Sequence, residues 1–449
     1  MRKIHIILFL IICQALSAQE NLSLQDCLDM GDRANPYVRN AELDILSAKA
    51  RKSELGWEYF PTASLGMLGY YAVNPIISIT PQDVLGTSEF ARDISRAYTD
   101  FASATGLPAS IDALHRGYGF SLMATQPLYA GGRIVNGNRL ASIGVEAAEL
   151  QSDIKLRDTR DDIESKYWLA LSLQEKMITL EKAESVLDSI YRYVLSARKA
   201  GLVVESDVSQ VSRKRAELAA GKVRLRSGLK LAKMDLFNAI GLEYEYLKLD
   251  DYVLSESVRD TDMSGIAVSP DAGVTAESRL LEIKEQAARL EKKVYVGEYL
   301  PQVGLGFTLG YGNLQGFSTS NMNGIGFFTV KVPLTGIGKA VSRARRYDYE
   351  IEKARNEREY LGKQLELQRH QLFLAVETAR SQAEVSLQAM NDAESSHTRC
   401  LADYKAGRIP VSDLLAAELE CRTAAEQYID DCIEYRKAVG VYNRRYSSE

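Results

Sequence analysis

The alternation of hydrophobic and polar residues changes its period along this chain, and the changes predict helices separated by pairs of strands. Asn35 followed by Pro36 is a favourable helix start, because asparagine can cap the first turn and proline fits its first position. That helix should end near Gly56. After Pro61 the period becomes two, which indicates a strand with one apolar face and one face of small or polar residues.

Four segments carry this two-residue period, and we expect strands at about 61–74, 116–127, 301–313 and 322–333. The third is the clearest, because large apolar side chains alternate there with glycine, threonine and glutamine. A segment of about ten such residues is typical of a strand with lipid on one side and water on the other. The alternative is a half-buried strand of a soluble sandwich. The faces of the fourth strand are ambiguous, because Phe327 and Phe328 are adjacent.

Long stretches with a helical period and no proline follow each pair of strands. They run from about 132 to 200 and from about 339 to 406. A helix of roughly 70 residues would be ~100 Å long, which is typical of a coiled-coil-like assembly rather than of an ordinary globular domain. Each stretch ends at Lys-Ala-Gly, where Gly201 and Gly407 can end the helix in a left-handed conformation.

A return helix should follow each of these turns. Ser206-Asp207 and Ser412-Asp413 are expected to cap the return helices, since their side-chain oxygens can accept from N–H groups of the first turn. The two helical hairpins are therefore predicted at about 131–240 and 338–445.

The same succession of elements occurs twice, which indicates that one structural unit has been duplicated. The segment 58–66 returns at 298–306, Pro127-Leu128 returns as Pro333-Leu334, and the glycine turns return in the same order. We therefore expect a first repeat at 19–240, an irregular connector at 241–275 and a second repeat at 276–449.

The start of the chain and its charge bear on where it works. Residues 1–18 have a basic start, an apolar run and small residues before a predicted cleavage site, as in a secretory signal peptide. No other segment is apolar and long enough to predict a transmembrane helix. The formal net charge of −5, with acidic and basic residues interleaved, gives no sign of a nucleic-acid-binding surface.

Candidate chemistry is sparse. The histidines show no metal-ligand spacing, and no nucleophile lies near a base, so we expect no metal, no other cofactor and no enzymatic activity. Four cysteines follow the predicted signal peptide: Cys27, Cys400, Cys421 and Cys432. Their even number permits disulfides, but Cys421 and Cys432 fall on an apolar helical stripe, which favours packed thiols.

Four strands cannot close a membrane barrel, because the smallest bacterial barrels have eight and an open edge in lipid leaves backbone groups unpaired. Copies of the chain must then complete the barrel, and the long helices must pack across copies as well. Proline donates no hydrogen bond to a sheet, so it is expected where strands meet helices. The candidate junctions are Pro61, Pro127, Pro301 and Pro333.

These features resemble those of the TolC-type outer-membrane efflux proteins. The resemblance covers nearly the whole mature chain and rests on motifs in a fixed order: Asn35-Pro36, Pro61 and Pro301 before strands, Gln126-Pro127-Leu128 with Gly131-Gly132, and two Ala-Gly-x4-Ser-Asp turns. It implies a mainly α fold with a membrane β-barrel. In the family, a homotrimer forms a twelve-stranded β-barrel in the outer membrane that continues into a twelve-helix α-barrel in the periplasm.

The same resemblance implies a function. Family members are not enzymes; they sit in the outer membrane of Gram-negative-type bacteria as exit ducts. We therefore expect an exit duct of a tripartite efflux pump, with a periplasmic membrane-fusion adaptor and an inner-membrane transporter as partners. The alternatives are a type I protein-secretion duct, a passive porin and a periplasmic coiled-coil scaffold without a pore. The two-residue periods argue against the scaffold, and the long helices argue against a simple porin.

The resemblance also implies a gate at the periplasmic helix turns. Asp413 matches a gate aspartate, and Tyr404 with Asp207 matches a pair that links neighbouring hairpins. Two positions depart from the family pattern: Ala416 stands where a second acidic residue is expected, and Ile409 where an arginine is expected. Helix capping by Asp207 and Asp413 is the alternative, and both roles can hold together.

Two further predictions concern the strand ends. The segment 74–116 is long for a strand connection, and we expect it to cap the pore mouth, with a short helix at about 87–101. Aromatic residues near the strand ends predict an interfacial belt, with ordinary packing as the alternative. They are Trp57, Tyr59, Tyr70, Tyr71 and Tyr129.

Overall fold

A computed structural model describes residues 20–74, 76–113, 116–243, 252–256, 258, 275–314 and 322–446. The predicted signal peptide and most of the predicted connector lie outside these residues. The chain divides into two compact units. We call Met1–Ser47, Glu146–Ile283 and Arg355–Glu449 the helical unit, and Ala48–Val145 with Lys284–Ala354 the strand unit. Each unit therefore takes segments from both sequence repeats.

Helices make up most of the described chain. In order they are α1 (Leu24–Ala34), α2 (Pro36–Gly56), α3 (Pro81–Leu85), α4 (Glu89–Thr105), α5 (Arg133–Lys199), α6 (Glu205–Ile240), α7 (Ala276–Gly297), α8 (Ile337–Lys405) and α9 (Val411–Tyr446). The 67 residues of α5 and the 69 residues of α8 correspond to the two long stretches without proline. None of the described helices has an apolar stretch long enough to cross a membrane.

The strands are short or of medium length. In order they are β1 (Glu20–Leu22), β2 (Thr62–Tyr71), β3 (Ile77–Ile79), β4 (Ile111–Ala113), β5 (Arg116–Ala130), β6 (Tyr252–Leu254), β7 (Gln302–Leu314) and β8 (Met322–Lys331). The four predicted strands correspond to β2, β5, β7 and β8. The three-residue strands β1, β3, β4 and β6 carry no two-residue period long enough to predict them.

The start of α2 follows the sequence prediction. The side-chain oxygen of Asn35 accepts from the N–H of Tyr37 at 2.9 Å, which caps the first turn. Its amide nitrogen donates to the carbonyl oxygen of Ala239 at 2.9 Å in a buried position. One asparagine therefore caps α2 and attaches it to the end of α6.

The core of the helical unit surrounds the small parallel pair β1–β6. Strand β1 pairs with β6 in the register Leu22↔Leu254. The hydroxyl of Tyr167 on α5 donates to the carbonyl oxygen of Leu22 at 3.1 Å. Gln174, also on α5, both donates to and accepts from the backbone of Leu254, at 3.0 and 3.1 Å. These bonds satisfy strand groups that the two-stranded pair alone would leave open.

The packed-thiol prediction is confirmed for Cys432, whereas Cys421 is only half-buried. All four described cysteines are free thiols, and Cys27 and Cys432 are buried in the same apolar cluster of the helical unit. Burial raises the pKa of the Cys27 thiol to about 12, so it stays protonated at neutral pH.

The strand unit is built on one antiparallel sheet in the order β2-β5-β7-β8. The hairpin of the first repeat and the hairpin of the second meet at the β5–β7 ladder, where Phe120 pairs with Tyr311. Strands β2 and β8 form the two edges.

Three of the four predicted junction prolines flank strands, and the fourth does not. Pro61 precedes β2, Pro301 precedes β7 and Pro333 follows β8. Pro127 lies inside β5, at a bulge where the register to β7 shifts between Pro127 and Tyr129. The prediction of a strand end there is wrong because the bulge accommodates a residue without an N–H, and the strand continues for another three residues.

Candidate functional site: the strand sheet and the helix turns

The registers of the sheet give its strands two chemically different faces. Cross-strand rows such as Met67–Phe120–Tyr311–Met322 place large side chains on one face, and the rings of Phe120 and Tyr311 stack with centroids 5.4 Å apart. We call this the apolar face. It carries Leu65, Met67, Phe120, Leu122, Phe307, Leu309, Tyr311 and Phe328. Met67 is 85% exposed, so nothing in the described chain covers this part of the face.

The opposite face carries mainly small and polar residues, and we call it the small face. Its central row is Gly66–Ser121–Gly310–Asn323. Larger side chains interrupt it at Leu68, Met123, Ile325 and Phe327. The ring of Phe327 lies over Gly306, where a Cβ would come within 2.0 Å of the ring. The ambiguity in β8 is thereby resolved: Phe328 is on the apolar face and Phe327 on the small face.

The segment between β2 and β5 has secondary structure of its own. Strands β3 and β4 pair antiparallel, and α3 and α4 lie between them. Helix α4 spans 89–105 where a helix was expected at about 87–101, and Ser88 caps it by accepting from the N–H of Ala91. That this segment caps a pore mouth stays a prediction.

Both long helices end in the same way at their glycine turns. Gly201 and Gly407 have φ of 74° and 71°, the left-handed conformation expected of them. The N–H of Leu202 donates to the carbonyl oxygen of Ala197 at 3.0 Å, and that of Arg408 donates to Asp403 at 2.9 Å. These bonds close the last turn of α5 and of α8 as in a Schellman motif.

The return helices begin earlier than expected, so the capping predictions for the two Ser-Asp pairs are wrong. Helix α6 begins at Glu205 after Val204, with no side-chain cap, and α9 begins at Val411. The N–H groups of Asp207 and Asp413 donate to backbone carbonyls, of Val204 and Pro410, at 3.2 and 3.3 Å. Ser206 and Ser412 therefore lie inside the first turns. A carboxylate in a first turn still stabilises the helix through its dipole.

Tyr404 and Asp207 are close but not hydrogen-bonded. The Tyr404 side chain is 7% exposed, and its hydroxyl has no hydrogen-bond partner among the described residues. Burial first, and then the charge of Asp207, raises the pKa of this hydroxyl. A hydrogen bond between the two hairpins comes from Tyr193, whose hydroxyl donates to the carbonyl oxygen of Lys405 at 3.2 Å. Its ring meets that of Tyr404 edge-on, with centroids 5.7 Å apart.

The remaining turn residues are distributed between core and surface. Asp413 is exposed and accepts from the hydroxyl of Ser412 at 3.1 Å. Ala416 is exposed, whereas Ile409 packs against the apolar cluster that joins both hairpins. Arg408, next to the expected arginine position, pairs with Asp403 at 3.1 Å.

Sequence reasoning missed Tyr193 because nothing in its local pattern separates it from the other apolar positions of α5.

Comparisons with known proteins rest on structure alone. Neither a protein-family model nor a curated protein matches the sequence. Solved structures do match. The outer membrane protein VceC from Vibrio cholerae superposes with a TM-score of 0.73 at 15% identity, covering 94% of this chain and 95% of VceC. The chain has the TolC-type channel fold.

Two further structures agree. The outer membrane channel CmeC from Campylobacter jejuni has a TM-score of 0.75 at 14% identity, covering 95% of this chain and 87% of CmeC. CusC, described for its transmembrane channel formation, has a TM-score of 0.76 at 12% identity, covering 94% and 91%. The TolC-type fold thus spans both sequence repeats. Among the residues that the structure describes, no cluster of histidine, cysteine or carboxylate side chains could hold a metal ion.

Proposed function

We propose that this chain is the outer-membrane exit duct of a tripartite efflux pump, assembled as a homotrimer. In this assembly three four-stranded sheets close one twelve-stranded barrel, and the long helices form a tube in the periplasm. A periplasmic adaptor and an inner-membrane transporter deliver the cargo. The observation that carries the proposal is the four-stranded sheet with one uncovered apolar face and one small face.

The open edges of the sheet support an assembly of several copies. β2 and β8 are edge strands, and an unpaired edge is not tolerated in lipid because its N–H and C=O groups find no partners. Pairing β8 of one copy with β2 of the next satisfies both edges in a closed ring. Strand β8 leads into α8 and strand β2 follows α2, so the helices of neighbouring copies meet along the same seam.

The glycine turns support contact with a partner at the far end of the helices. Leu202 is 79% exposed and Val204 63% exposed at the α5–α6 turn. Apolar side chains at such a position are costly in water and gain from a partner surface. Asp413, Asp207 and Tyr404, which match gate positions of the family, lie at these turns, so we place the gate there.

Planar-bilayer conductance tests both duct and gate. The full mature protein is purified in detergent, shown to be oligomeric, and compared with the double variant Asp207→Ala/Tyr404→Phe. We expect a small conductance in the wild type that rises in the double variant. Glu350→Ala, which removes an exposed ion pair with Lys353 on α8 more than fifty residues before the turn, is the matched control and should keep the wild-type conductance.

The outcomes separate the parts of the proposal. A large conductance in all three proteins would keep the duct and remove the assigned gate. An oligomeric, folded protein without any channel would contradict the duct and favour the scaffold. Pull-down of adaptor and transporter with the tagged protein from its own cells then tests the efflux context. Recovery of a protein-secretion transporter instead would favour type I secretion.

A further inference from the structure

A cavity of about 520 Å³ lies where the sheet meets the first long helix, within the strand unit. Charged side chains line it from three elements: Arg133 from the start of α5, Lys331 from the end of β8, and Glu58 from the turn before β2. None of these three side chains forms an ion pair or hydrogen bond with a described residue, and all three are exposed. Two cations and one carboxylate thus face one cavity without neutralising one another.

The register places Lys331 on the small face of the sheet. It pairs with Gln302, which in turn pairs with Ala130, and Gln302 also lines the cavity. The charged residues of the four sheet strands are Arg116, at the opposite end of β5, and Lys331. No carboxylate on these strands therefore offsets the charge of Lys331.

The position of Arg133 is unfavourable for the helix that carries it. The N-terminus of a helix has a partial positive charge, so a cation in the first turn is repelled and a carboxylate is attracted. Helix α5 has Arg133 and no acidic residue in its first turn, whereas α6 has Glu205 and Asp207 there. Helix stability therefore does not explain an arginine at this point.

We propose that Arg133 and Lys331 form an anion-binding site that takes a carboxylate, phosphate or sulfate group of a solute. Guanidinium and ammonium groups supply charge-assisted donors, and the N-terminus of α5 adds to the positive potential. That the solute is cargo passing along the small face rests on the proposed duct. The binding site itself does not.

Calorimetric titration of the purified, detergent-solubilised protein with inorganic pyrophosphate tests the binding. The variant Arg133→Gln/Lys331→Gln should bind at least about tenfold more weakly, because both charged donors are lost. Lys339→Gln is the matched control: Lys339 is the counterpart of Arg133 in the second repeat, lies in the first turn of α8, and is not among the residues lining the cavity. It should bind pyrophosphate as the wild type does.

Reversal potentials in a KCl gradient test the link to transport. Lys331→Glu should lower the chloride-to-potassium permeability ratio by about twofold or more at low salt, where fixed charges are screened least. Lys339→Glu should change it less. Absence of pyrophosphate binding in the wild type, or equal binding in the double variant, overturns the site even if channels form. Binding without any channel keeps the site and contradicts the duct.

Discussion

At the scale of single residues, the tyrosine hydroxyls at the helix turns differ in what they contact. The hydroxyl of Tyr193 donates to the backbone of Lys405, whereas that of Tyr404 is buried and has no partner in the part of the chain that the structure describes. Removing a satisfied donor loses a hydrogen bond, but removing an unsatisfied buried one relieves a desolvation cost. Both residues are tyrosines of long helices in the sequence, but in the structure the hydroxyl of Tyr193 stabilises the fold and that of Tyr404 destabilises it.

We predict that Tyr193→Phe lowers the stability of the helical unit by about 1 kcal/mol, while Tyr404→Phe leaves it unchanged or raises it slightly. Thermal unfolding of the purified variants, followed by circular dichroism, measures both. Equal destabilisation by the two substitutions would show that the Tyr404 hydroxyl has a partner in the assembled protein.

A buried carboxyl group on α9 makes the stability of the folded protein depend on pH. Glu418 is 8% exposed, and burial raises its pKa above the ordinary value of 4.5, despite the opposing charges of Arg422 and Lys214. At a pH between 4.5 and the raised pKa, the folded protein therefore holds a proton that the unfolded chain has already lost. Stability falls as the pH rises from about 4.5 through the raised pKa, and the full penalty is present above it.

We predict that Glu418→Gln raises the thermal midpoint at neutral pH and flattens its decline between acidic and neutral pH. Unfolding curves across that range for wild type and variant provide the measurement. Glu420→Gln, on the exposed side of the same helix, is the control for losing a carboxylate from α9. A steeper decline in Glu418→Gln would mean that the carboxylate is stabilised by its neighbours.

At the scale of elements, two backbones come unusually close where β5 passes into α5. A Cβ on Gly131 would lie 2.1 Å from the carbonyl oxygen of Gly297, at the end of α7, and Gly131 has a φ of 63°. Both the space and the backbone conformation therefore require glycine. The contact fixes the end of α7 against the turn that starts the first long helix.

We predict that Gly131→Ala destabilises the strand unit by about 2 kcal/mol or more, through strain and the backbone clash. Gly338→Ala is the matched control, because nothing lies within 4 Å of its added Cβ. The yield of folded oligomer and its thermal midpoint are the readouts. Similar behaviour of the two variants would show that the junction tolerates a shift of α7.

The four sheet strands and the two long helices were predictable because each periodic segment is much longer than the few residues by which the predicted ends of an element can be misplaced. The alternation in β7 predicted a strand and the proline-free run of α8 predicted a long helix, each with approximately the observed ends. The β1–β6 pair was not predictable, since three residues hold no period and their partners are distant in sequence. The starts of α6 and α9 were misplaced because backbone groups, not the serine or aspartate oxygens, satisfy the first-turn N–H groups.

At the scale of the whole molecule, the compact units cut across the duplication seen in the sequence. Each unit combines matching segments of both repeats, so neither repeat supplies a complete sheet or a complete helical core. The apolar face and the small face are each formed by strands of both repeats. Their assignment to lipid and to water can be tested with neighbouring residues.

We predict that Leu309→Arg prevents assembly in the outer membrane, whereas Thr308→Arg is tolerated. The two residues are adjacent in β7 and lie on the apolar and small faces respectively. Arginine on a lipid face costs about 2–4 kcal/mol at mid-membrane in each copy, while on a water-filled face it costs little. Outer-membrane fractionation and semi-native gels measure assembly. Loss of assembly in Thr308→Arg alone would reverse the assignment of the faces.

The β5–β7 ladder has a consequence for how the chain is made. One edge of β5, where Phe120 pairs with Tyr311, finds its partner strand only in the second repeat, so the β2–β5 hairpin is synthesised first and that edge stays unpaired until β7 has been made. Pairing across such a sequence distance is slow, because the entropy of closing a long loop is lost before the stabilising contacts form. During that delay the exposed strands are prone to aggregate. We therefore expect a holding chaperone to raise the yield of folded protein, and a chain stopped after the first repeat to be degraded rather than to form half a channel.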